Sequence, residues 1–230
     1  MSDKINVLDI EIDELTAKEA LKRAIGCMDS DPVSVIEMVT AGGLMQMDER
    51  ADLKREMESF ELVLAGDRTI LEAADIGERK YLQETENGTF LKLFIRYLHR
   101  NHKRVYLLVE SEEESEEFYD YIERVHGGIQ IVGMAKVSAE NRADDMIVNA
   151  VNGGEADCVL AALSAPLRED FIVKNRGLLN TRVFMGMDKE VLPFTKQTPG
   201  TGRLSRFILK HIFKKEMEKR KRIREACAAE

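Results

Sequence analysis

The stretch FELVLAGDRTILEA, Phe60 to Ala73, reads as a buried strand that stops at Ala65-Gly66 and turns into a helix. Asp67, Arg68 and Thr69 stand at the turn. In an open α/β sheet, ligands bind beyond the carboxyl ends of the strands, where such turns lie. Two roles fit Asp67. Its short carboxylate suits the N-cap of a helix starting at Arg68. In a cleft, the same carboxylate can take a proton as a general base.

The pattern around this stretch repeats it. VSVIEMV (33–39), RVYLLVE (104–110), GIQIVGM (128–134), DCVLAAL (157–163) and TRVFMGM (181–187) are further short runs rich in apolar and β-branched residues. Several are apolar at successive positions, as in strands covered on both faces of a parallel sheet. Helical patterns separate them. TAKEALKRAIGCM (16–28) opens on Thr16 with Glu19 three residues on, a capping box. GTFLKLFIRYLHRN (88–101) is amphipathic, and SEEESEEFYDYIERV (111–125) puts glutamates at the positive end of a helix dipole. SAENRADDMIVNAVN (138–152) is expected to start at a Ser138 cap, and APLREDFIVKNRGLL (165–179) has Pro166 in its first turn. Thr40 is placed to cap one helix, GLMQMDERADLKREM. INVLDIEIDEL alternates and suits an edge hairpin. The alternation predicts a Rossmann-like, mostly parallel sheet with helices on both faces, built from residues 1–200.

The chain of 230 residues has a net charge of −8 that is unevenly spread. Residues 203–230 carry ten Lys/Arg against four Glu, a net of +6, which leaves −14 for the rest. KQTPGTGR (196–203) reads as a hinge before a basic helix over 201–230. Leu204, Phe207, Ile208 and Ile212 recur there at helical spacing, with Arg203, Arg206, Lys210 and Lys214 between them. This basic amphipathic pattern fits an anionic membrane surface. Packing on the acidic body or on a second subunit of a homo-oligomer also fits it. Nucleic acid is not expected as a partner, because the body is acidic and no recognition motif appears.

No run approaches the length of a membrane-spanning helix, and the N-terminus lacks a signal-peptide pattern, so a cytoplasmic protein, peripheral on the inner face of the plasma membrane, is expected. Cys27, Cys158 and Cys227 are too scattered for a zinc site or disulfide framework. Cys158 reads as a buried thiol, and the four histidines as exposed.

The order of segments resembles the WecG/TagA/CpsF family of glycosyltransferases. INVLDIEIDELTAKEAL looks like the family's opening, IEMVTAGGLMQ its Thr-x-Asn segment and FELVLAGDRTI its Asp-Gly turn. YLLVESEEESEEF looks like its Gly-Gly segment and ALSAPLREDFIVKNR its Gly-Ala-Pro-x-Gln-Glu segment. The resemblance implies transfer of an N-acetylmannosamine-type sugar from a UDP-sugar to polyprenyl-diphosphate-linked N-acetylglucosamine, with no cofactor or metal. It also implies a basic tail against the membrane.

Thr40, Ala165, Pro166 and Glu169 match the family pattern. Gly42 stands for its Asn, Leu44 for its acidic residue, Gly66 for its proposed catalytic Asp, Glu110-Ser111 for its Gly-Gly, and Arg168 for its Gln. Asp67 follows one place late and is the catalytic candidate. Thr40, Gly42, Arg68, Pro166, Arg168 and Glu169 are the substrate-binding candidates, with Arg68 and Arg168 suited to a diphosphate. Two other functions remain open: a family member that has lost catalysis and acts as a binding or regulatory partner, and an unrelated α/β domain that binds a small molecule.

Overall fold

A computed structural model of the chain describes residues 4–140, 143–192 and 202–227, with the backbone alone for 202–207 and 223–227. The hinge expected at 196–203 lies mostly outside these residues. Elements follow in the order β1 (Lys4–Val7), β2 (Ile10–Asp13), α1 (Ala17–Cys27), β3 (Ser34–Val39), α2 (Ala41–Gln46), α3 (Ala51–Met57) and β4 (Leu62–Ala65). Next come α4 (Arg68–Ala73), α5 (Arg79–Glu86), α6 (Thr89–Arg100), β5 (Arg104–Val109), α7 (Glu112–Val125) and β6 (Gln130–Lys136). The chain continues through α8 (Asp144–Gly153), β7 (Cys158–Ala162), α9 (Leu167–Asn175), β8 (Val183–Met187) and α10 (Gly202–Cys227).

Six strands form one sheet in the order β4-β3-β8-β7-β5-β6, and every neighbouring pair is parallel. Alternate strand residues serve opposite faces, as the pleat requires. Ile36, Met38, Leu107, Leu160 and Met185 pack with α1, α6 and α7. Val35, Val39, Leu108, Val159 and Phe184 face the other layer, which holds α2, α4, α8 and α9. The apolar runs therefore mark strands sandwiched between two helical layers, a Rossmann-like arrangement.

Local chemistry sets the element starts. Thr16 and Glu19 complete a capping box, with the Thr16 N–H donating to Glu19 Oε2 at 2.9 Å. The Ser111 hydroxyl accepts from Glu114 N–H at the start of α7. The opening segment forms a hairpin, β1-β2, in its own two-stranded sheet rather than in the main one. It lies beside β4, where Val63 N–H donates to Asp13 Oδ2 at 3.1 Å.

Several boundaries differ from expectation. The helix after Thr40 breaks into α2 and α3, because Asp48 and Arg50 turn outward to ion pairs with Lys54 and with Asp52 and Asp170. The helix expected from Ser138 starts at Asp144, which is buried and paired to Lys174 on α9 at 2.8 Å. The helix from Pro166 ends at Asn175 and gives way to a 3₁₀ turn over Arg176–Leu178. Two histidines are partly covered: His99 and His126 stack with centroids 5.8 Å apart. Cys158 is fully buried, and burial pushes its thiol pKa up.

α10 returns to the body. Phe213 is fully buried in the layer that holds α2 and α4, and Met217 packs against the same cluster. Arg220 pairs with Asp9 and Asp48, and Lys210 with Glu72. Ile208 and Ile212 point outward, 49% and 45% exposed, so the apolar residues of this helix serve two faces rather than one stripe. No described helix is long and apolar enough to cross a membrane.

Candidate functional site at the carboxyl edge of the sheet

The carboxyl ends of β3 and β4 open into a cleft of about 450 Å³, bounded on its far side by α10. That volume suits a small molecule. Thr40, Gly66, Asp67, Arg68, Glu190 and Lys210 are in its wall. Gly42 lies close behind, where a Cβ would stand 3.6 Å from Glu190 Oε2. Thr40, Gly42, Asp67 and Arg68 are thus brought together, with Lys210 added from the tail.

Asp67 holds two helix starts at once. Its Oδ1 accepts from Ile70 N–H at 3.1 Å, which caps α4. Its Oδ2 accepts from Ala41 N–H at 2.7 Å, at the first residue of α2. A carboxylate of the chain itself therefore sits at the helix start where a ligand's anionic group could have bound. Burial raises the Asp67 pKa, against the lowering effect of the bonds from Ala41 and Ile70.

Gly66 is packed too tightly for a side chain. Its N–H donates to Val39 O at 2.7 Å, and a Cβ would lie 2.8 Å from Val191 Cγ2 and 2.9 Å from Val39 O. The place where the family resemblance expects a catalytic aspartate is closed by backbone and by Val191.

Thr40 caps α2, accepting from Gly43 N–H at 3.1 Å, and donates its hydroxyl to Asp188 Oδ2 at 2.8 Å. Gly43 is required here, because a Cβ would meet Asp188 Oδ2 at 2.1 Å. Gly43 thus makes room for an internal carboxylate, while a Cβ at Gly42 would meet only ordinary contacts.

The cations of the cleft are already engaged. Arg68 Nε donates to Glu72 Oε1 at 2.6 Å, and Arg68 lies 3.6 Å from Glu86. Lys210 shares Glu72. Four carboxylates, Asp67, Glu72, Glu86 and Glu190, line the cleft against these two cations.

Arg168 and Glu169 are absent from the cleft wall. Both are fully buried below it, where Arg168 bonds Glu37 and Glu169. Pro166 precedes α9 through a cis bond from Ala165 and is also outside the cleft wall. Glu110, at the place of the expected Gly-Gly, has its Oε1 bonded by the backbone and hydroxyl of Ser164, and its Oε2 by Lys189 Nζ at 3.1 Å. Burial would raise the Glu110 pKa, but the bonds from Ser164 and Lys189 outweigh it and hold the carboxyl below the usual range.

Lys214 lines a separate groove with Asn6 and Asp75, on the hairpin side of α10. The side chains of Arg203 and Arg206 lie outside the described residues. Sequence reading missed Glu37. Its signal was a single charge inside the otherwise apolar run VSVIEMV, every residue of which from Ser34 to Val39 is buried.

No curated protein matches the chain. The model of the glycosyl transferase WecG/TagA/CpsF family matches residues 5–192, from the opening hairpin to the turn beyond β8. The match spans every strand of the sheet and the cleft at its carboxyl edge up to α10, and the chain belongs to the glycosyl transferase WecG/TagA/CpsF family.

Proposed function

We propose that the chain keeps the family's fold without its transfer chemistry, and acts as a binding or regulatory partner at an anionic membrane surface. One observation carries this reading: both oxygens of Asp67 are bound by backbone N–H groups of α2 and α4, while the preceding position, Gly66, has no room for a carboxylate. A base must reach the acceptor hydroxyl within hydrogen-bond distance, and a displacement of an ångström costs on the order of 10²-fold in rate. Glu110 fills the place of the phosphate-binding glycines, and the carboxylates of the cleft would repel a diphosphate.

The membrane part rests on the outer face of α10. Ile208 and Ile212 are exposed there, and Lys215, Lys219 and Arg222 continue the same face. Apolar anchors followed by cations suit an interfacial helix, each cation near the surface contributing about 1 kcal/mol.

A second reading is an active transferase that uses Asp67 as base. It would move an N-acetylmannosamine-type sugar from a UDP-sugar to a polyprenyl-diphosphate-linked acceptor. The observation in its favour is that Asp67 lines the cleft and burial raises its pKa, the direction a base working near neutral pH needs. One experiment separates the two. Radiolabelled UDP-sugars are incubated with the protein and a lipid-linked acceptor, and UDP is tested for protection against thermal unfolding. No transfer and no protection are expected. Transfer that disappears in Asp67→Asn would replace the first reading with the second.

A further inference from the structure

Four charged side chains meet below the cleft, sealed from solvent. Glu37 comes from β3, Arg168 and Glu169 from α9, and Asp188 follows β8. The first three are 0% exposed and Asp188 is 4% exposed. Arg168 Nε donates to Glu37 Oε1 at 2.7 Å, and its Nη2 donates to Glu169 Oε1 at 2.6 Å. Its Nη1 donates to Leu163 O at 2.9 Å and lies 3.7 Å from Asp188 Oδ1. The other oxygens, Glu37 Oε2 and Glu169 Oε2, are buried with no hydrogen-bond partner among the described residues. Gly186 closes one side, since a Cβ there would come within 2.8 Å of Arg168 Cδ and 3.0 Å of Glu37 Oε1.

Three carboxylates thus surround one guanidinium. With all of them ionised, the cluster would hold two negative charges beyond what Arg168 neutralises, in a place water does not reach. Buried like charges of this kind are relieved by keeping a proton.

We propose that Glu37 and Glu169 hold one proton between them at neutral pH, and that its loss unlatches Thr40 and the start of α2 at the cleft wall. The link is direct. Asp188 accepts from the Thr40 hydroxyl, which in turn accepts from Gly43 N–H, and Asp188 sits against Gly43 where even a Cβ would not fit. Extra negative charge on the glutamates pushes Asp188 away from them, and α2 is what it is bonded to.

Burial pushes the Glu37 carboxyl up to about 8, with Arg168 lowering it and Glu169 and Asp188 raising it. Burial likewise raises Glu169. A carboxyl raised in the folded state keeps its proton where the unfolded chain has lost it. Stability from this group therefore falls as pH rises from the ordinary 4.5 to about 8 and is level beyond. Within that window the unfolding constant grows about tenfold per pH unit.

Urea denaturation of the full chain between about pH 5 and about pH 9 tests the proton, with wild type beside Glu37→Gln. The wild-type unfolding constant should rise more steeply, by up to about tenfold per pH unit, and equal slopes would overturn the proposal. Should Glu37→Gln not fold, infrared spectra of wild type carrying ¹³C-glutamate should show a protonated buried carboxyl at neutral pH. Absence of that band also overturns it. Hydrogen exchange at the Gly43 and Leu44 amides reads the latch. Their protection should drop above about pH 8 in wild type and persist in Glu37→Gln; a wild type with unchanged protection overturns the unlatching.

Discussion

Single residues decide what the carboxyl edge of the sheet can do, and two glycines and an aspartate decide most of it. Gly66 and Gly43 both lie where a side chain would collide, one with Val191 and Val39, the other with Asp188. Gly43→Ala tests the second contact. Alanine favours a helix over glycine by about 1 kcal/mol, but overpacking a closed site costs about 1–3 kcal/mol. With the added carbon 2.1 Å from Asp188 Oδ2, the steric cost should win, and urea denaturation should show Gly43→Ala less stable than wild type by up to about 2 kcal/mol. The role of Asp67 as helix cap was readable in the residue order, because an aspartate before a helix start is a local feature. Its second bond, to Ala41, was not. Ala41 is 26 positions away, and only the pairing of β3 with β4 brings the two turns together.

At the scale of elements, α10 shows how far a pattern reaches. Periodicity showed a basic amphipathic helix, which is the form it takes. It did not show which apolar residues face the body. Phe213 does, although Ile208 and Ile212 fit the same spacing. Hydrophobic period marks a helix, while the partner surface selects the face. Phe213→Ala should cost about 3–5 kcal/mol of the packing that holds α10 to α2 and α4. Limited proteolysis should then cut the chain near α10 much faster than wild type, with the sheet domain remaining intact. The split of α2 from α3 has a similar cause. The run GLMQMDERADLKREM carries one continuous helical pattern, but Asp48 and Arg50 find ion-pair partners in distant segments, Arg220 and Asp170, that sequence spacing does not place.

For the whole molecule, the division of charge matters more than its sum. α10, the described part of the net positive segment 203–230, folds back on a body of opposite sign, so part of its charge is consumed at home by Glu72, Asp9 and Asp48. Lys215, Lys219 and Arg222 are among the described residues that stay exposed beside Ile208 and Ile212, with Lys219 also paired to Glu216 within the helix. If this face meets membrane, the protein should sediment with vesicles containing phosphatidylserine and not with neutral ones. Replacing Lys215, Lys219 and Arg222 by Glu should lower that partitioning by about two orders of magnitude or more, given about 1 kcal/mol per cation. Equal sedimentation of the variant would remove the membrane from the proposed function.

The sequence by itself determined the α/β class, the strands, most helix starts, and the family to which residues 5–192 belong. These depend on period, caps and segment order, which are properties of neighbours along the chain. Tertiary structure decided where the charges end. Arg168 could have reached a diphosphate from its place in the sequence. Folding instead sets it between Glu37 and Glu169, 131 positions away and next door, with its charge spent in the interior. The reason is that a guanidinium is neutralised by whatever carboxylate stands within a few ångströms, and only the packed sheet brings β3 that close to α9.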